Sequence, residues 1–103
     1  MARLAKLFVA VQVDGSNSWH TVATVPVGKK WEITEIIIVS FDASVARLVF
    51  TRASGADLTV SLVQPNSMFI QKLFQVANAG DTIDSHSPSA NLTLRISGVE
   101  VDV

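Results

Sequence analysis

The side chains best equipped for chemistry in this chain are two histidines, a few carboxylates and two tryptophans. Asp84-Ser85-His86 sets an acid, a hydroxyl and an imidazole side by side. Acyl transfer needs those groups converging in space, with the nucleophile on a strained turn, and no G-x-S-x-G elbow occurs. A zinc site needs several ligands at fixed spacing. His20 and His86 stand alone, with no H-x-H or H-E-x-x-H pattern and no cysteine. Glu32 and Glu35 could do acid–base work on a sugar, but three apart on a strand they face opposite ways unless a bulge intervenes. Glu100 and Asp102 share one face near the C-terminus and read as a solvated edge that discourages strand pairing. Trp19 and Trp31 could stack on a pyranose, although tryptophans at strand starts read first as core plugs or rim anchors. The expectation is a non-enzymatic protein with no catalytic residue, no cofactor and no metal.

The elements holding these residues follow from composition and spacing. At 103 residues the chain fits one domain, residues 1–103, with one core. Charged residues make up 17% and hydrophobic ones 49%, which leaves a surplus of apolar surface for so small a domain. A subunit interface is the usual place for such a surplus. Eight Lys and Arg against nine Asp and Glu give a net charge of −1 with no basic stripe, so the electrostatic footprint of a nucleic-acid binder is missing. Residues 1–6 carry charge but are followed by no apolar stretch with a cleavage signature, and they read as a flexible arm, not a signal peptide. The apolar run 36–39 is far too short to span a bilayer. A soluble product made in a cytoplasm is expected.

Fifteen valines, seven isoleucines and seven threonines favour pleated strands. Short runs at 4–13, 19–25, 31–40, 45–52, 58–63, 68–76, 82–84 and 92–103 are separated by turn residues. Glu35, beside the continuous run Ile36-Ile37-Ile38-Val39, is expected to be buried or at a bulge. Leu58, Val60 and Leu62 are expected to face the core, and residues 85–90 to form an exposed polar loop. In the last run Leu92, Leu94 and Ile96 share one parity and Val99, Val101 and Val103 the other, so a glycine bulge or a strand crossing between sheets is expected at Gly98. Eight strands without a helix predict an all-β, eight-stranded, jelly-roll-like sandwich. An immunoglobulin-like strand order is the alternative.

Two segments carry a resemblance. Thr24-Val25-Pro26-Val27-Gly28-Lys29-Lys30-Trp31-Glu32-Ile33 resembles the T-V-P-x-G-K-x-W-x-I segment of small β-sandwich virion proteins of tailed bacteriophages. Ala79-Gly80-Asp81-Thr82-Ile83, followed by Ile96-Ser97-Gly98-Val99-Glu100, is similar to their A-G-D-x-I and I-S-G-V-E ending. The resemblance implies a virion structural protein, foremost a capsid decoration (cement) protein that forms homotrimers and binds the major capsid protein on the capsid exterior. It implies assembly in the host cytoplasm, without nucleic acid or membrane as partner. The alternative is a small tail or fibre module binding a host receptor or glycan. Expected subunit contacts are Trp31, Ile36, Ile37, Ile38, Val99 and Val101, on the two strands with most apolar excess. Expected capsid contacts are Arg3, Lys6 and His86.

Overall fold

The computed structural model describes residues 3–13, 15, 17–55, 57–88 and 91–103, and residues 57–63 by backbone alone. The described residues form eight strands: β1 (Arg3–Val13), β2 (Trp19–Thr24), β3 (Lys29–Ser40), β4 (Ala46–Thr51), β5 (Asp57–Val63), β6 (Ser67–Asn78), β7 (Thr82–His86) and β8 (Leu92–Asp102). Sheet A runs β1-β8-β3-β6 and sheet B runs β2-β7-β4-β5, with every pairing antiparallel. This is the jelly-roll order, so the all-β sandwich expected from turn spacing and β-branched content is the fold. The expected inward facing of Leu58, Val60 and Leu62 lies outside the described side chains.

Between the sheets lie Val9 and Val13 of β1, Ile33, Ile36 and Ile38 of β3, Leu48 and Phe50 of β4, Ile83 of β7, and Leu92, Leu94 and Ile96 of β8. Alternation along each strand sends every second side chain inward. Bulges break that alternation in both sheets. β1 gains a residue between Leu7 and Val9, and β3 gains one between Ile33 and Glu35. Glu35 therefore sits beside a bulge, as expected. The shift in β3 keeps both Ile33 and Ile36 in the core, and it turns Glu32 and Glu35 to the same outer side.

The bulge or sheet crossing expected within β8 is not there. β8 runs unbroken past Gly98, and the extra residues sit in its two neighbours. Gly98 makes room for one of them: a Cβ there would lie 2.0 Å from the Glu32 carbonyl oxygen. Of the presumed arm, Arg3 to Lys6 are strand residues paired with Val101 to Gly98; residues 1 and 2 lie outside the described residues. The expected loop at 85–90 is also corrected. Ser85 and His86 complete β7, and Ser85 and Ser87 are buried. Ser87 Oγ donates to Asp42 Oδ2 at 3.0 Å, and Asp42 also caps Ser44 N–H at 2.8 Å. Residues 89 and 90 lie outside the described residues.

The two resemblance segments interlock. Val25 N–H donates to the Asp81 carbonyl at 2.9 Å, and Gly80 N–H donates to the Val25 carbonyl at 3.0 Å. The buried Asp81 carboxylate accepts from Ala53 N–H at 3.0 Å and Asn78 N–H at 2.8 Å. Gly80 has φ +88°, a left-handed turn conformation that L side chains rarely adopt. Trp31 Nε1–H donates to Glu100 Oε2 at 2.9 Å, and Lys29 pairs with Asp102. These motifs therefore fix the fold, and their polar groups are used within it.

Candidate functional site

β6 is an edge strand of sheet A, twelve residues long, with no proline and Lys72 as its single charge. Its odd-numbered residues turn inward, leaving Met68, Ile70, Lys72 and Phe74 on the outer face. The ladder extends this face across the sheet. Met68 pairs with Val39 and Ile70 with Ile37, while Lys72 pairs with Glu35 and bridges it at 3.4 Å. Beyond β3, the same rows continue through Thr93, Arg95 and Ser97 of β8 to Gln12, Ala10 and Leu7 of β1. Met68 is 64% exposed, Ile70 55% and Phe74 67%, with Ile37 and Val39 half-buried beside them. Five large apolar side chains thus lie on the outer face at this edge of the sheet. A long, flat, apolar edge is a template for pairing with another chain unless something covers it.

The expected subunit contacts are only partly on this surface. Trp31, Ile36 and Ile38 are core residues, because the β3 bulge aims them between the sheets. Val101 is fully buried and pairs with Arg3 on one side and Lys30 on the other. Val99 is half-buried between Ala5 and Glu32 in the same ladder. Ile37 alone of the six joins the exposed apolar rows. Sequence reasoning placed the excess on β3 and β8 and missed β6. The signal was present in the alternation of Met68, Ile70 and Phe74, but alternation does not say which parity faces the core.

The expected capsid contacts do not converge. Arg3 begins β1 and pairs with Glu32, while Lys6 reaches Glu100 Oε2 at 3.2 Å. His86 lies near the other end of the sandwich, where Asn17 N–H meets the Ser87 carbonyl and Gly15 N–H meets Asn91 Oδ1. Ten residues separate Arg3 from that end of β1, about 30 Å at the rise of a strand. At the Arg3 end, Phe8 stacks on Trp31 with ring centroids 4.3 Å apart, burying the indole. The Trp31 hydrogen bond holds the Glu100 carboxyl below its ordinary range against the opposing effect of burial, with Lys6 and Lys29 adding to the shift. Lys29 is raised, first by its hydrogen bond to Asp102 and then by that carboxylate's charge.

Sheet B presents a different outer face. Trp19, His86 and Arg47 form one row, Thr21, Asp84 and Val49 the next, and Thr24, Thr82 and Thr51 the third. Alternation sends Asp84 and His86 outward and Ser85 into the buried layer, so the three consecutive residues form no triad. Asp84 instead accepts three hydroxyls: Thr21 at 2.7 Å, Thr51 at 2.9 Å and Thr82 at 3.1 Å. Trp19, 51% exposed, lies against His86 with centroids 5.2 Å apart. Trp19, Val49, Thr51 and Asp84 line a depression of about 170 Å³. Among the described residues no three of His, Cys, Asp or Glu are grouped as a metal ion would require.

The sequence matches no protein-family model and no curated relative. Among solved structures, the chain is similar to a protein of the Bacillus endospore appendages, a family of disulfide-linked pili. The TM-score is 0.66 at 10% identity, over 98% of this chain and 88% of that one. At that identity the likeness is one of fold. A structure of infectious bursal disease virus overlaps 96% of this chain and 31% of its own, with TM-score 0.42 and 7% identity. A pentameric capsid protein from metagenomic phage sequences overlaps 91% of this chain and 60% of its own, with TM-score 0.38 and 15% identity. Those two scores are too low to establish a common fold.

Proposed function

We propose that this protein is a non-enzymatic structural subunit that assembles with copies of itself, and that its place is the outside of a phage capsid as a decoration protein. The observation that carries the reading is the β6 edge with Met68, Ile70 and Phe74 beside it. Exposed apolar side chains on a strand at the edge of a sheet favour association with another protein surface. The phage assignment rests on the two interlocked segments resembling virion proteins. The jelly roll shared with a pilus protein supports a subunit role more generally. These 103 residues hold no cysteine, so disulfide linkage has no counterpart here.

Decoration of this kind is mechanical. Each subunit bridges capsomers and adds buried area, and many copies multiply a modest affinity by avidity. A standard interface buries about 1,600 Å² in total. In this reading the β6 face forms the contact between copies, with a trimer the expected number. Arg3 and Lys6 lie near one end of β1 on opposite faces of the strand, and in this reading a capsid carboxylate replaces Glu32 or Glu100 as the partner of one of them. His86 is not part of that contact. Mixing the protein with undecorated capsids tests the assignment. Saturable binding at symmetry-related positions is expected; a protein that leaves capsids bare while associating with tail tips or host cells overturns it.

A further inference from the structure

The depression on sheet B has a composition that the assembly reading does not use. It is lined by Val49, Thr51, Asp84 and the Trp19 side chain. An aromatic plane offers stacking to the C–H face of a ring, and carboxylate and hydroxyl oxygens accept from ring hydroxyls. The acceptor is fixed in place beforehand. Three threonine hydroxyls hold Asp84, and a carboxylate has about four lone-pair sites, so one remains for a ligand while each threonine oxygen keeps acceptor capacity. The indole is restrained as well, because His86 lies against it and His86 Nε2 meets Asn17 Oδ1 at 3.2 Å. At about 170 Å³ the space is well below the several hundred cubic ångströms of drug-sized pockets, which suits one small ring.

The two tryptophans of this chain separate by role at this point. Trp31 is stacked on Phe8, hydrogen-bonded and buried, as a core plug is. Trp19 keeps half its surface open beside Thr51 and Asp84, although exposing an indole forgoes its burial energy. We propose that the depression between Trp19 and Asp84 binds a single neutral sugar ring, stacked on the indole with a hydroxyl donated to the carboxylate. The Asp84 charge disfavours an acidic sugar in the same place. The site shares no residue with the β6 face and does not rest on the assembly reading.

The test uses the methyl pyranosides of glucose, galactose, mannose and N-acetylglucosamine, with N-acetylneuraminic acid as the charged comparison. The indole N–H signals of Trp19 and Trp31 are followed by NMR during titration. At least one neutral sugar is expected to shift the Trp19 signal saturably and leave Trp31 in place. Trp19→Ala is expected to weaken that binding about tenfold or more, and Trp19→Phe less, since a smaller ring still stacks. Trp19 is exposed, so both variants retain the fold, which the unchanged Trp31 signal verifies. The proposal is overturned if no neutral sugar saturates by about 50 mM. It is equally overturned if Trp19→Ala binds as the wild type does, or if the acidic sugar binds the site more tightly. Repeating the titration with Ile70→Lys/Phe74→Lys separates the two readings, because the sugar site should survive the loss of the assembly face.

Discussion

On the outer face of sheet A the ladder lines up Ile37 with Ile70 and Val39 with Met68, whereas the corresponding rows of sheet B carry Trp19, His86, Arg47, Thr21 and Asp84. Both faces come from the same antiparallel alternation, and both lie outside the core. What differs is what each row can do in water. The Asp84 row satisfies its polar groups internally and remains stable while solvated. The Ile70 row has no internal partner for its apolar area, so covering it is the favourable change. A jelly roll can thus put an interaction surface of opposite chemistry on each side without altering its core.

That division depends on Gly98, and the largest expected effect comes from breaking it there. An added Cβ would meet the Glu32 carbonyl at 2.0 Å and the Ile33 Cα at 3.0 Å, so backbone, not a flexible side chain, must move. The β3 bulge decides which side chains of that strand face the core. Gly98→Ala is expected to cost about 3 kcal/mol or more, read as a lower denaturation midpoint. A variant within about 0.5 kcal/mol of wild type would show that the bulge does not need the glycine.

A second experiment separates the faces without touching the core. Ile70→Lys/Phe74→Lys places two cations on the exposed rows beside Lys72. Self-association is expected to fall by at least about tenfold in sedimentation velocity, while monomer stability stays within about 0.5 kcal/mol for such exposed positions. Association that persists at wild-type strength would move the subunit contact away from β6.

Strand existence, the sandwich and the site of the β3 irregularity were all legible from the chain, because turn residues and period-two alternation report local backbone directly. Facing was less legible. The apolar alternation Leu7, Val9, Val11, Val13 looks continuous, yet the bulge at Phe8 turns Leu7 outward and the edge position leaves Val11 partly exposed. Which strand lies at an edge is a property of topology, and no residue of β6 announces it. The same holds for the sugar-site candidate. Trp19 and Asp84 are 65 positions apart, and only the β2–β7 register brings them together.

The two tryptophans sharpen the comparison at smaller scale. Trp31→Phe keeps a ring for Phe8 to stack on but removes the donor to a buried carboxylate, and is expected to cost about 1–3 kcal/mol. Trp19→Ala, at an exposed position, should cost less than about 1 kcal/mol. Thermal or chemical unfolding of both variants checks the order. If Trp19→Ala were the more destabilising, its ring would belong to the structure and not to a binding surface.

The smallest effect concerns the carboxylate that Trp31 holds. Glu100 has a lowered pKa in the fold, so the unfolded chain binds its proton more readily than the folded one. Its contribution to stability is therefore fully present above the ordinary value of 4.5 and is lost as pH falls through that value toward the lowered one. Chemical denaturation between pH 7 and pH 3 should show stability declining across this window, and Glu100→Gln should flatten the decline. Trp31→Phe removes the largest cause of the shift, so it should flatten the same decline while leaving the Lys6 contribution. A profile identical in all three proteins would mean that Glu100 titrates alike in the folded and unfolded chains.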